Sequence, residues 1–140
     1  MTRINLIPVT ELSNQHLMAE YRELPRIVNG VLDGKFRTDS KIPAHYVLGA
    51  GHVKFFTNKL IFLQSRYQKI HKELLYRKFQ LNPVFSPSDM LKKIKLAGLI
   101  DKKYSFSINE IALSRQRIIE KIQKKPNWYK WSGRRKPAYL

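Results

Sequence analysis

One carboxylate, Glu23, sits among residues that can do chemistry: Gln15, His16, Arg22 and Arg26 all lie within eight positions of it. On a helix advancing about 100° per residue, with Glu23 at zero, His16 falls near +20°, Arg26 near −60°, Gln15 near −80° and Arg22 near −100°. Leu17, Tyr21, Leu24, Val28, Val31 and Leu32 fall between about +80° and +180° of the same wheel. The polar side thus sets a single carboxylate among two guanidiniums, an imidazole and an amide. A carboxylate flanked by Arg is held ionised, and guanidinium forks suit phosphate. Such an arc could hold a phosphate track and offer one negative charge to a reacting centre. The same spacing also fits an ordinary surface helix, with Glu23 paired to Arg26 or Arg22 and His16 purely structural.

A second basic stripe lies further on. Arg117, Lys121 and Lys124 recur at i, i+4 and i+7, opposite Ile111, Ile118, Ile119 and Ile122. A phosphate backbone could follow them, although a solvated face reads the same way. Near the C-terminal end, Trp128, Tyr129, Lys130 and Trp131 interleave aromatic faces with a cation. That pattern suits stacking on bases beside phosphates, and it equally suits aromatic side chains that cap a core. Gly49-Ala50-Gly51-His52-Val53 lacks the third glycine and the lysine of phosphate-binding loops. It reads as a tight structural turn.

The composition sharpens these choices. The chain has 140 residues, 27 Lys and Arg against 10 Asp and Glu, and a net charge of +17. Self-repulsion of that size points to a polyanionic partner. The 43% apolar content is enough for a core. With no Cys there can be no disulfide, thiolate zinc site or cysteine nucleophile. Ten carboxylates and four scattered His predict no metal site and no cofactor. No apolar run is long enough to span a membrane, and the opening residues carry no signal-peptide pattern. These features predict a cytoplasmic protein, expected to be a monomer.

Three long helices must position the chemistry. The first is predicted over Ser13 to Leu32, kinked or broken at Pro25. The second starts near Thr57 or Asn58 and runs to about Lys78, on the stripe Leu60, Leu63, Tyr67, Ile70, Leu74. The third starts at Ser107, where Ser107 and Glu110 form a capping box, and ends at Pro126. A short helix fits Met90 to Ile100, ending near Gly98, while the stretches from Asp33 to Pro43 and from Asn82 to Asp89 read as loop. Nothing alternates with period two, so the expected fold is all-α, one compact domain over 1–140.

The opening Met1-Thr2-Arg3-Ile4-Asn5-Leu6, the block Gln15-His16-Leu17-Met18-Ala19-Glu20-Tyr21-Arg22-Glu23-Leu24-Pro25-Arg26, the block Leu48 to Phe56 and the run Pro126-Asn127-Trp128-Tyr129-Lys130-Trp131 closely resemble the phage pyrimidine-dimer DNA glycosylase (endonuclease V) family, in the family's order. Ser132 stands where the family pattern suggests another aromatic. The resemblance implies an extended N-terminal segment threading between helices. It also implies a bifunctional enzyme, which removes a base from a cyclobutane pyrimidine dimer in double-stranded DNA and then cleaves the strand at the abasic site. By the same resemblance the nucleophile is the α-amine of Thr2 once Met1 is removed, and Glu23 is the catalytic carboxylate. Arg3, Arg22, Arg26, Arg117 and Lys121 match positions that hold phosphates, and Gln15 and His16 line the same pocket.

Two other readings account for part of the sequence. A non-catalytic nucleic-acid-binding protein explains the charge and the aromatic C-terminal segment, but not a lone Glu among Arg and His. A glycosylase and lyase of the same family with a different lesion preference fits the divergent middle of the chain. A metal-dependent nuclease lacks clustered ligands.

Overall fold

The computed structural model describes residues 3–36, 41–82 and 85–140. Five α-helices and no strand occur among them: α1 (Asn14–Leu32), α2 (His52–Phe55), α3 (Leu60–Tyr76), α4 (Pro87–Leu96) and α5 (Ile108–Lys124). A 3-10 turn at Val9–Glu11 precedes α1. The all-α expectation and its three long helices are met, and the differences lie at helix ends.

Ser13 caps α1 by accepting from the His16 amide. The helix runs through Pro25 without the local break that is one of the two outcomes expected there. Tyr21, Leu24, Ile27 and Val28 are buried on both sides of the proline. Their burial, worth about 1.5–3 kcal/mol each, outweighs the roughly 3 kcal/mol that an interior proline costs. α3 begins two to three residues later than its apolar stripe suggests. Its first turn is capped by Asp101, whose two carboxylate oxygens accept from Ile61 N and Phe62 N, each at 2.8 Å. α4 begins earlier than predicted. Ser86 accepts from Asp89 N, and Pro87 takes the first helical position, where a missing N–H costs nothing. The capping box of α5 forms as read. Gly51, at φ 87°, turns the chain into α2, and a Cβ there would meet Pro43 Cγ at 3.0 Å.

The segment running into the 3-10 turn has no strand beside it, yet Ile4 and Ile7 are fully buried. Side chains from five parts of the fold satisfy its backbone. Ile4 N donates to His52 Nε2 at 2.9 Å, and the Tyr46 hydroxyl donates to Ile4 O at 2.8 Å. Asn5 N and Asn5 Nδ2 both donate to Glu20 Oε1. Leu6 N donates to Ser114 Oγ at 2.9 Å, and Arg66 Nη1 donates to Ile7 O at 2.9 Å. Glu20 of α1 and Arg66 of α3 close on each other as a bidentate pair, with Glu20 at 0% exposure. The segment therefore lies between α1, α3 and α5.

A buried pair that has lost one partner strands a charge in low dielectric. Glu20→Ala is expected to lower unfolding free energy by about 3–5 kcal/mol in urea titrations. A loss below about 1 kcal/mol would mean that the pair does not hold the segment.

Candidate functional site

The polar arc of α1 is partly exposed. Glu23 is half-buried, and Arg26 Nη1 lies 3.4 Å from Glu23 Oε2. Arg26 itself is largely exposed, so this link is a loose surface pair that leaves the carboxylate available. Arg22 is exposed on the same arc.

Two turns towards the N-terminus, the His16 ring stacks on Tyr129, centroids 4.8 Å apart and planes 5° apart. Burial pushes the imidazole down to about 4, and the charges of Arg117 and Lys121 push the same way. The stripe of α5 therefore faces the arc of α1 across His16. Burial also lowers Arg117 from its usual value, opposed by Tyr46 and reinforced by Arg3. Arg3, His16, Arg117, Lys121 and Tyr129 thus share one cationic neighbourhood, drawn from the N-terminal segment, two helices and the C-terminal segment. Thr2 lies outside the described residues.

The remaining expected site residues divide by what they touch. Both atoms of the Gln15 amide are engaged: Nε2 donates to Trp128 O at 2.8 Å, and Oε1 accepts from Lys130 N at 3.2 Å. Gln15 thereby fixes the aromatic run against α1. Asn14 N adds a bond to Lys130 O at 2.7 Å. Trp131 turns inward and donates its indole N–H to Glu11 O at 3.0 Å. Trp128 is 56% exposed, edge-on to Tyr129, with Lys125 Nζ 5.7 Å from its ring centroid. Of the two tryptophans, Trp128 presents a stacking face and Trp131 anchors the segment.

Two cavities bear on the site, and only the first is lined by arc residues. One of about 400 Å³ is lined by Gln15, Met18, Arg22, Phe79, Trp128 and Lys130. The other, about 520 Å³, lies beside Arg3 between Lys35, Phe36, Gly49 and Lys54. Phe36 walls it because its ring rests on Gly30, where a Cβ would lie 2.3 Å from the ring. A further cavity of about 590 Å³, between Leu6, Phe62, Phe106 and Arg115, includes none of the arc residues.

Sequence reasoning missed His52. It is buried, its Nδ1 donates to Val47 O at 2.8 Å, and its Nε2 receives the amide next to Arg3. Burial holds this imidazole at about 4 as well, with Arg3 and Arg117 adding to the effect against the Val47 bond. The signal was its place just after the Gly49-Ala50-Gly51 turn, which sets it at the start of a short helix aimed at the N-terminal segment. Residues 1–87 match the family described as Pyrimidine dimer DNA glycosylase.

Both imidazoles have folded values near 4 against about 6.5 when unfolded. Their folded forms are neutral, so unfolding takes up protons as pH falls. Stability is expected to drop from about pH 6.5 downward and this contribution to level off below about pH 4. NMR titration should find His16 and His52 uncharged at about pH 5. Midpoints near 6.5 would show that neither ring is sheltered.

Proposed function

Because the chain belongs to the pyrimidine dimer DNA glycosylase family, we propose that it excises a base from cyclobutane pyrimidine dimers in duplex DNA and then cuts the strand at the abasic sugar through a Schiff base on its own N-terminus. The observation that supports this most is the anchoring of Ile4. Its amide and carbonyl are both fixed, by His52 and Tyr46, two residues from Thr2 and beside the cluster of Arg3 and Arg117. A terminus two residues from a point fixed this firmly suits an amine that must meet one sugar carbon.

The chemistry asks for an unprotonated amine near neutral pH. An α-amine, with a pKa of about 7.7–8.0, is roughly 10–15% neutral at pH 7, against well under 0.1% for an ordinary Lys. Neighbouring guanidiniums favour the neutral form further. Removal of Met1 would place this amine on Thr2. Its lone pair attacks the sugar C1′, the C1′–N bond breaks with its electrons going to the base, and the base leaves with a proton. The amine passes one proton to O4′ as the C1′–O4′ bond breaks, and this opens the sugar ring and leaves an iminium. Glu23 stabilises positive charge at C1′ and then takes the C2′ proton as the 3′ phosphate leaves by β-elimination. Arg3, Arg22, Arg26, Arg117 and Lys121 hold the phosphates on either side. Trp128 and Tyr129 give stacking faces for unpaired bases. The cavity beside Arg3, in the size range of small-ligand sites, receives the extruded nucleotide that access to C1′ requires. Abasic duplexes enter the same sequence at the imine step.

Incision of ultraviolet-irradiated duplex in EDTA, beside an unirradiated control, tests the overall reading. Cutting is expected only of the irradiated strand, and no cutting overturns it. Glu23→Gln is expected to keep binding to damaged duplex and to lose base removal by at least about a thousandfold. Activity within about tenfold of the parent would remove Glu23 from the chemistry.

Borohydride is expected to trap enzyme and DNA as one covalent species, mapping to the residue that starts the mature chain. One extra residue ahead of Thr2 keeps an α-amine but moves it by about 3.5 Å, beyond the roughly 1 Å that attack geometry tolerates. That variant should bind DNA and trap poorly. An adduct on a lysine would overturn the terminal nucleophile.

A further inference from the structure

His16 sits at the centre of the cationic neighbourhood, and its contacts define which of its nitrogens carries the proton. Ser13 Oγ accepts the backbone N–H of His16 at 3.1 Å and lies 2.9 Å from His16 Nδ1. Ser13 is 0% exposed, and its hydroxyl has no other partner among the described residues. A hydroxyl has one hydrogen to give. If Nδ1 were the donor, Ser13 Oγ would accept twice and its own hydrogen would be buried without an acceptor, at the full desolvation cost of an unmade hydrogen bond. If the hydroxyl donates to Nδ1, every group closes. Nδ1 is then an acceptor, and a neutral ring must carry its proton on Nε2.

Nε2 has no hydrogen-bond partner among the described residues. The groups that face the ring keep it neutral: Arg117 and Lys121 from α5 are both cations, Tyr129 from the C-terminal segment covers one face, and Ser13 on its own element is uncharged. We propose that Ser13 is a positioning residue, locking His16 in the tautomer that offers a neutral Nε2–H donor to an acceptor oxygen of the bound DNA. His16 then neither delivers a proton as an acid nor accepts one as a base. The cap of α1 and the tautomer are set by the same hydroxyl. This inference rests on the DNA-processing reading above for its ligand, though not for its tautomer.

His52 is an internal reference of the opposite kind. Its Nδ1 donates to Val47 O and its Nε2 accepts from Ile4 N, so it carries its proton on Nδ1. The two rings should give opposite patterns of two-bond nitrogen–proton couplings in one ¹⁵N spectrum of the intact protein at about pH 7. Ser13→Asp separates the cap from the tautomer. A carboxylate caps a helix as well as a hydroxyl does, but it can only accept from Nδ1. Ser13→Thr keeps the hydroxyl and serves as the conservative rescue.

The parent protein is expected to show His16 protonated on Nε2 only. In Ser13→Asp the thermal midpoint should hold, His16 should move its proton to Nδ1 or become charged, and kcat at saturating irradiated duplex should fall by about tenfold or more. In Ser13→Thr the tautomer and kcat should return to within about threefold. A parent His16 protonated on Nδ1, or charged at neutral pH, overturns the assignment. A switched tautomer in Ser13→Asp with unchanged kcat overturns the positioning role. If the parent does not cut irradiated DNA, the functional reading fails separately. The positioning role is then judged by affinity for plain duplex, which a switched Ser13→Asp should weaken by about tenfold more than Ser13→Thr and which must not stay level.

Discussion

An extended chain buried without a strand beside it must find a hydrogen-bond partner for each backbone group among side chains, and the rest of the molecule is arranged around that demand. An unmet backbone group in the interior costs about as much as the hydrogen bond it lacks. Glu20, Arg66, His52, Tyr46 and Ser114 each answer one or more groups of the segment that starts at Arg3. They stand on α1, α3, α2, the loop before α2, and α5. Satisfying one segment therefore fixes the relative placement of most helices. The Glu20–Arg66 pair matters most because it is charged on both sides and also serves Asn5 and Ile7.

The acidic residues are scarce and mostly spent on such work. Glu73 holds Arg77 and also Arg134, which lies on the Tyr76 ring at 3.9 Å and clips the C-terminal segment to α3. These bonds keep Glu73 ionised against its burial. Glu110 accepts from Tyr46 N and Ser107 N, and Asp101 caps α3. Glu23 is not engaged in this way: among the described residues its one ion pair is a long contact to an exposed Arg26. In a chain with ten acids and a net charge of +17, a carboxylate left without a structural task amid cations stands out more than its position on a helical wheel alone conveys.

How legible this was depended on the range of each interaction. The apolar stripes marked all three long helices, and the box at Ser107 marked one end, because those signals are local. The start of α3 was not legible because its cap, Asp101, comes 40 residues later than the Ile61 amide it serves. Glu20 carried a trace: about 100° per residue puts it near +60°, at the rim of the apolar sector where a carboxylate needs a partner. Its partner, 46 positions on, left none. Gln15 was placed beside the right neighbours, but its amide is held by Trp128 and Lys130. Thr2 lies outside the described residues, so its expected role rests on the resemblance and on the fixing of Ile4.

The order in which the chain is made gives the buried segment a timetable. Residues 4 to 7 are made before their partners, and Leu6 binds Ser114, 108 positions later. At about 5–20 residues per second, that partner follows after roughly 5–20 s. Until then the segment has no complete berth. Once α5 docks, the last of these backbone bonds can form. A fragment that stops short of Ser114 would leave the Leu6 amide without its partner however well α1 and α3 pack.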